Sequence, residues 1–122
     1  MTHWVEGDWR WGDELDAVAA APDSHRVVFE NSHVRVLEVT LEPGVHEPEH
    51  THRWPSVMMT DGPARIRYRI GDEVTFTSPD PLPPRTELNG SWCPPEGPHS
   101  VENIDSHPFH AIRVEFKDRA GH

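Results

Sequence analysis

Cysteine, basic residues and long apolar segments are all scarce in this 122-residue sequence. The only cysteine is Cys93, so no disulfide can form within the chain and no Cys-x-x-Cys metal or redox motif exists. The longest purely apolar run, residues 17–21, is far shorter than the ~20 residues that a membrane-spanning helix needs. The first ten residues have neither a basic start nor an apolar core. We therefore expect no secretory signal and a cytoplasmic location.

The shortage of positive charge restricts the expected partners. Eleven Lys and Arg residues stand against 21 Asp and Glu residues, which gives a formal net charge of −10 with histidine neutral. Nucleic-acid affinity depends on Lys and Arg that neutralise phosphates, and an anionic membrane surface attracts the same residues. We therefore expect neither nucleic acid nor a membrane as a partner. A chain of this length is one domain that buries roughly two-thirds of its unfolded surface.

Histidine and proline are abundant instead, with ten and thirteen residues. The prolines predict many turns, and the histidines are a large supply of the commonest metal-ligating side chain. Residues 1–25 form a predicted N-terminal arm with one short helix, which Asp13 caps and Pro22 ends. Three tryptophans of the arm are expected to cover a sheet face or a partner subunit, because exposed indoles are unfavourable in water. These are Trp4, Trp9 and Trp11.

From residue 26 onward the side chains alternate at period two, which is typical of strands. Residues 34–39 and 65–70 show this alternation, and turn signals stand at Pro43-Gly44 and Gly71-Asp72. Many short strands separated by turns, with helix only at the front, predict an all-β sandwich or barrel. We assign residues 26–118 to this barrel and residues 119–122 to a tail.

One histidine-rich segment has the spacing of a metal site. His50 and His52 lie two residues apart, and on a strand such residues project from the same face. Both imidazoles can therefore reach one metal ion while Thr51 points away. Imidazole suits zinc, copper, iron and nickel. Two surface histidines can have the same spacing, so the neighbouring sequence decides between these interpretations.

The residues on both sides of this pair resemble the cupin superfamily. Two segments resemble its two motifs in the right order: Gly44-x5-His50-x-His52 followed by Gly62, and Pro95-x-Gly97-x-His99-x3-Asn103. The resemblance covers roughly residues 26–117. The chain is similar to the small single-domain cupins of bacterial cytoplasm.

The resemblance implies an antiparallel jelly-roll β-barrel with one divalent transition metal inside it. His50, His52 and His99 match three of the family's metal ligands. The fourth ligand, a glutamate with three or four residues between it and His52, is absent here, because Ser56 and Val57 stand at its place. An activity that depends on a carboxylate at the metal would therefore need that carboxylate from another residue.

Three other side chains are alternatives for a fourth ligand: Glu47, Glu49 and His46. Glu49 adjoins His50 and should point to the opposite face of the strand. Four side chains are candidates for the lining of a substrate pocket, although aromatic residues on strands more often belong to the core. These four are Trp54, Ser56, Tyr68 and Trp92.

Three neutral imidazoles leave a divalent ion its full charge and at least one open position, as in catalytic sites. We expect a metal-dependent enzyme that acts on a small oxygen-rich substrate, such as a carboxylate, diketone or phenol. A dioxygenase-type oxidoreductase with iron(II) is favoured, and zinc, nickel, manganese and copper are alternatives. The fold also hosts Lewis-acid isomerases, cyclases and lyases, and proteins that only bind a small ligand or a metal. No catalytic residue is assigned, and a homodimer is one alternative for the oligomeric state.

Overall fold

The structure is a computed structural model that describes residues 4–84 and 90–117. Nine strands run through these residues: β1 (His25–Glu30), β2 (Val34–Leu41), β3 (His50–His52), β4 (Ser56–Gly62), β5 (Ile66–Ile70), β6 (Glu73–Thr77), β7 (Gly90–Cys93), β8 (Glu96–Asn103) and β9 (Phe109–Phe116). Gly44 and Gly71, in the turns after β2 and β5, have φ angles of 79° and 60°, which glycine adopts without steric cost. Turn signals in the sequence therefore separate strands in the structure.

The strands form two antiparallel sheets, which confirms the prediction of an all-β jelly roll. One sheet has the order β1-β2-β9-β4-β7, and the other has the order β3-β8-β5-β6. The central pair of the larger sheet, β2 and β9, is in register from Val34 opposite Phe116 to Leu41 opposite Phe109. Pro94 and Pro95 separate β7 from β8. Proline lacks the N–H that a continuous ladder requires.

The inner face of the larger sheet is apolar at one end. Leu37 and Val39 on β2 and Ala111 on β9 form a buried cluster. Leu37 and Ala111 are completely inaccessible to solvent. Burial of a side chain such as that of Leu37 stabilises the fold by about 1.5–3 kcal/mol. Partly buried side chains of Val18, Met58 and Phe109 pack against this cluster.

The same inner face is charged at its other end. Arg35 on β2, Glu115 on β9 and Ser56 on β4 lie side by side across the sheet, and all three are buried. Among the described residues, fifteen polar or charged residues are buried, against nine hydrophobic ones. None of the buried side-chain nitrogen or oxygen atoms in this part of the chain lacks a hydrogen-bond partner. The barrel therefore contains an extensive, internally satisfied polar region.

The N-terminal arm contains a 3₁₀ turn over Asp13–Leu15 and one short helix, α1 (Ala17–Ala20). The helix was predicted, but its cap is Asp16 rather than Asp13. The Asp16 side chain accepts a hydrogen bond from the backbone N–H of Val18 at 3.1 Å. The 3₁₀ turn occupies the residues before Asp16, so the α-helix begins one turn later than the sequence pattern indicates.

The tryptophans of the arm differ in exposure. Trp9 and Trp11 are half-buried and meet edge to face, with 4.8 Å between ring centroids, whereas Trp4 is 44% exposed. β1 begins at His25, next to the predicted boundary at residue 26. The predicted tail, residues 119–122, lies outside the described residues. None of the helices in the described segments is long and apolar enough to cross a membrane.

Candidate metal centre

Three histidines from two paired strands meet inside the barrel. His50 and His52 on β3 are buried, and 5.1 Å separates their ring centroids. His99 on β8 lies directly opposite His50 in the register, with 4.5 Å between the two ring centroids. The two motif segments therefore bring His50, His52 and His99 into one cluster.

A fourth imidazole, from His25, joins this cluster and was missed in the sequence. His25 is the first residue of β1, and its ring centroid lies 4.7 Å from that of His50 and 5.3 Å from that of His52. It is 4% exposed. No motif spacing connects His25 to the other histidines, and the unusual number of histidines was the only available signal.

The Nδ1 atoms of the four histidines all contact an oxygen atom of the protein. Backbone carbonyls can only accept hydrogen bonds, so a ring that contacts one carries its proton on Nδ1 and its lone pair on Nε2. The Nδ1 contacts are His25 with the Ala21 carbonyl at 3.2 Å, His50 with the Pro48 carbonyl at 2.9 Å, His99 with the Gly97 carbonyl at 2.8 Å, and His52 with Glu115 Oε2 at 3.3 Å. Metal-ligating histidines are usually oriented by such contacts of the second ring nitrogen.

Burial keeps His25, His50 and His52 in the neutral form that a metal requires. Burial, assisted by the nearby His50, lowers the pKa of His25 to about 2. The pKa of His50 also lies below its usual value because the ring is desolvated, although Glu47 opposes the shift. The pKa of His52 lies well below its usual value because of burial and the positive charge of Arg113. Neutral imidazole is the metal-binding form.

Two groups of side chains in the described residues have the composition and spacing of a metal site. One group is His25, His50 and His52, and the other is His52, Glu96 and His99. Within each group, one ligand atom per residue lies within 4.8 Å of the others. The predicted histidines are divided between these groups, and His52 belongs to both. Imidazole with at most one carboxylate is a donor set that suits a first-row transition metal.

Glu96 supplies a carboxylate that the sequence analysis did not assign to the site. Its Oε2 lies 3.6 Å from His99 Nε2 and accepts a hydrogen bond from the Tyr68 hydroxyl at 2.7 Å, while its Oε1 accepts one from Arg113 Nη2 at 2.9 Å. Burial alone would raise the pKa of Glu96, but His99, Arg113 and Tyr68 outweigh this effect and hold it below its usual value. Glu96 is therefore ionised at neutral pH.

Of the three alternatives for a fourth ligand, only Glu47 is near the cluster. Its Oε1 lies 3.7 Å from His50 Nε2, and its Oε2 accepts a hydrogen bond from the Ser24 hydroxyl at 2.7 Å. Burial raises the pKa of the Glu47 carboxyl. Glu49 is exposed, and His46 is exposed with its Nε2 2.8 Å from the Ser100 hydroxyl.

Ser56, one of the two residues at the expected place of the family's glutamate, faces the interior and contacts a buried cation. It is completely inaccessible, and its hydroxyl accepts a hydrogen bond from Arg113 Nε at 2.9 Å. Burial by itself would lower the pKa of Arg113, but Glu96, Cys93 and Glu115 outweigh it, so the guanidinium stays charged. The chain therefore has a serine and an arginine where the resemblance implies a carboxylate.

The other predicted pocket residues lie in different places. Tyr68 is buried at the cluster and stacks on His99, with 5.0 Å between centroids and an interplanar angle of 7°. Trp54 lies outside the cluster, in a cleft beside the arm, where the Arg35 guanidinium is 4.9 Å from its ring centroid. Trp92 is on the outer face of the larger sheet, 53% exposed and stacked on Phe116.

Comparisons with known proteins agree with the fold. No protein-family model matches the sequence, and no curated protein is significantly similar to it. A cupin domain from Bordetella pertussis Tohama I matches with a TM-score of 0.63 and 22% identity, over 76% of this chain and 91% of that one. An RmlC-like cupin family protein with a double-stranded β-helix fold, from Methanocaldococcus jannaschii, matches with a TM-score of 0.54 and 15% identity, over 75% and 77%.

An enzyme is also among the similar structures. The polyketide cyclase RemF from Streptomyces resistomycificus matches with a TM-score of 0.50 and 15% identity, over 76% of this chain and 63% of the cyclase. Identities this low establish similarity of fold. The protein therefore has the cupin double-stranded β-helix fold, as the motif resemblance implied.

Proposed function

We propose that this protein is a metal-dependent cupin enzyme that acts on a small oxygen-rich substrate, and that its reaction is of the dioxygenase type. The observation that carries the proposal is the group His52, Glu96 and His99, two imidazoles and one carboxylate around one space. This donor combination is typical of non-haem iron(II) oxygenases. Glu96, from the second motif segment, would supply the carboxylate that the first motif lacks.

The proposed ligands are His50, His52 and His99, as the sequence predicted, together with His25 and Glu96. When bound, iron(II) would supply coordination positions for an oxygen-rich substrate and for dioxygen. The chain's own residues hold the donors in place. Tyr68 and Arg113 each donate to one oxygen of Glu96, which fixes the carboxylate plane. Neutral imidazoles and an ionised carboxylate make the site ready to bind a cation without losing protons first.

Oxygen consumption tests this proposal. The protein is loaded with Fe²⁺ under anaerobic conditions and mixed with a catechol, a β-diketone or an α-hydroxy acid. Oxygen is then added, and its uptake is followed with an oxygen electrode. We expect uptake of one oxygen molecule per substrate molecule consumed for at least one of these classes. His52→Ala should abolish the uptake, whereas His46→Ala, a change of the exposed histidine, should preserve it. Turnover of a substrate without oxygen uptake would exclude the dioxygenase assignment.

Lewis-acid catalysis is a second candidate, and the all-imidazole group supports it. His25, His50 and His52 form a neutral donor set that suits zinc as well as iron. A metal held by neutral ligands keeps its full charge and polarises a carbonyl strongly. RemF, a polyketide cyclase, has a similar fold. A zinc-loaded protein that converts a diketone or polyketide substrate without oxygen would support this candidate over the first.

We further propose that the protein forms a homodimer through the outer face of its larger sheet. The register aligns apolar side chains from all five strands in one row across this face, and the two end residues, Phe29 and Trp92, are 54% and 53% exposed. Such a continuous patch is unusual on a monomer, and a twofold axis places the same patch of two copies together. Phe29→Glu should shift the sedimentation equilibrium toward the monomer. The row is Phe29, Val36, Val114, Val57 and Trp92.

A further inference from the structure

The N-terminal arm contacts β8 and β3, two of the three strands that carry the proposed metal ligands. At its beginning, Trp4 forms an isolated β-bridge with Glu96, and the Val5 N–H donates to the Pro95 carbonyl at 2.8 Å. The resemblance to cupins starts only at residue 26, so these contacts come from a part of the chain that the motifs do not include. The arm is therefore directly attached to the segment that holds Glu96.

Farther along, the arm is attached to the short strand that carries His50 and His52. Thr51, between these two histidines, donates its hydroxyl hydrogen to the Leu15 carbonyl at 3.1 Å. Asp16 forms an isolated parallel β-bridge with Thr51. β3 contains only three residues, so its position depends strongly on its neighbours. It pairs with β8 along one side and contacts the arm through Thr51.

A continuous chain of charged hydrogen bonds connects the arm to His52. Asp16 accepts two hydrogen bonds from Arg35, at 2.8 and 2.9 Å. Arg35 Nε donates to Glu115 Oε1 at 2.6 Å, and Glu115 Oε2 lies 3.3 Å from His52 Nδ1. The Glu115 side chain is completely inaccessible, and that of Arg35 is 8% exposed. Burial keeps solvent away from these contacts, so water could not replace Asp16 as the acceptor for Arg35. Displacement of Asp16 would therefore shift the side chains of Arg35 and Glu115.

We propose that the arm is a positioning element of the metal centre, in which Asp16 acts through Arg35 and Glu115 to orient the imidazole of His52. This inference rests on the proposed metal binding by the histidine cluster. The coupling between arm and metal is reciprocal. Bound metal favours docking of the arm on the barrel by some factor, and the docked arm increases the affinity for metal by that same factor. A cleft of about 320 Å³ separates parts of the arm from Arg53 and Trp54, so the arm is incompletely packed on this side.

The first test needs no mutation. The full-length protein is freed of metal with a chelator, and amide hydrogen exchange of residues 4–24 is measured with and without Co²⁺. We expect Co²⁺ to slow exchange in the arm by about fivefold or more, a typical coupling factor. Exchange in β6, at the edge of the smaller sheet opposite β3, should change much less. Equal protection of the arm with and without Co²⁺ would overturn the proposal.

A matched pair of variants is the second test. Asp16→Asn keeps a good helix cap but removes the charge that holds Arg35, and it should weaken Co²⁺ binding about tenfold, as loss of an outer contact to a ligand does. Asp13→Asn is the control, because this carboxylate is on the same arm, is exposed, and lies 3.8 Å from Arg53. Its Co²⁺ affinity should stay within about twofold of the wild type. The absorption bands of bound Co²⁺ should also change in Asp16→Asn, since the donor geometry at His52 changes.

The outcomes separate this inference from the proposed function. If the wild type binds Co²⁺ but Asp16→Asn binds it as tightly as Asp13→Asn does, the arm has no positioning role and the metal centre stands. If the wild type binds neither Co²⁺ nor Zn²⁺, the proposed function fails and the positioning role fails with it. If Asp16→Asn does not fold, the exchange measurement on the wild type decides alone.

Discussion

Arg35 and Leu37 are successive residues on the same inner face of β2, yet their surroundings are of opposite kinds. Leu37 is packed in an apolar cluster with Val39 and Ala111, whereas Arg35 is bonded to Asp16 and Glu115. Both are buried. One end of the barrel therefore gains stability from apolar burial, and the other end must offset the desolvation of several charges by mutual hydrogen bonds.

The difference between the two ends of the barrel indicates that the functional site lies at the polar end. Replacing a buried ionic group by well-packed apolar residues is often neutral or stabilising, so a charged interior is weak support for stability. Here the ionic residues surround the histidine cluster and contact its members. Glu115 contacts His52, and Glu96 lies beside His99. The polar end is thus explained by the cation that we propose it binds, while the apolar end packs β2 and β9 against Val18 of the arm and Met58 of β4.

The largest effect on stability is expected from breaking one charge pair at the polar end. Arg113→Met leaves Glu96 buried without its guanidinium and should lower the free energy of unfolding by about 3–5 kcal/mol. Combining it with Glu96→Gln should restore most of this loss, because the unpaired charge is gone. Urea unfolding of the metal-free variants measures both values. A double variant as unstable as the single one would show that Arg113 acts through packing instead.

At the apolar end, Leu37→Ala should lower the free energy of unfolding by about 2–5 kcal/mol, because it creates a cavity in the central cluster. The affinity for Co²⁺ of the remaining folded protein should be unchanged. Chemical denaturation and a metal titration below the unfolding temperature measure the two quantities. A parallel loss of metal affinity would mean that the two ends are not independent.

His52→Ala, unlike Leu37→Ala, is expected to weaken metal binding. His52 belongs to both groups of candidate ligands, so its loss should weaken Co²⁺ binding about 100-fold, or about 2.7 kcal/mol. The free energy of unfolding of the metal-free protein should fall by about 1–3 kcal/mol, because the buried Glu115 Oε2 loses its contact with the His52 ring. The control is His46→Ala, which should bind Co²⁺ like the wild type. Equal affinities for the two variants would remove His52 from the site.

The smallest effect is the pH dependence of the metal-free protein. His25, His50 and His52 have pKa values below that of free histidine, so the unfolded chain binds more protons than the folded one below pH about 6.5. Stability should therefore fall as the pH decreases from 7 to 6, by a net amount on the order of 1 kcal/mol. The raised pKa values of Glu47 and Glu115 oppose this trend, because they favour the folded state as the pH falls. Stability that rises over this interval would contradict the neutral state of the buried imidazoles.

Local patterns in the sequence predict the strands and part of the cluster. The spacing of His50 and His52 indicates a shared face, and the second motif adds His99. Period two also shows that Arg113 and Glu115 share a face of β9, opposite Ile112 and Val114. It does not show which face is inside, and the usual preference for apolar interiors would select the wrong one. In the structure, Arg113 and Glu115 are inside because Glu96 and Arg35 neutralise them.

Contacts between distant segments could not be predicted in the same way. His25, the first residue of β1 in the larger sheet, reaches the rings of His50 and His52 in the smaller sheet, and no spacing in the sequence encodes this arrangement. Asp16 lies 99 residues from Glu115, to which Arg35 connects it. Trp92 was a pocket candidate because it is aromatic, but its alternation with the buried Cys93 places it on the outer face. Such positions depend on sheet pairing across the whole chain.

Metal-edge anomalous scattering from crystals of the untagged protein, loaded with one equivalent of Fe²⁺ or Co²⁺, tests the central claim most directly. We expect one strong anomalous peak per chain inside the barrel, at bonding distance from Nε2 of His52 and from at least two of His25, His50, His99 and Glu96. A peak at the exposed histidines, or an interior without any peak in a protein that metal analysis shows to be loaded, would contradict it.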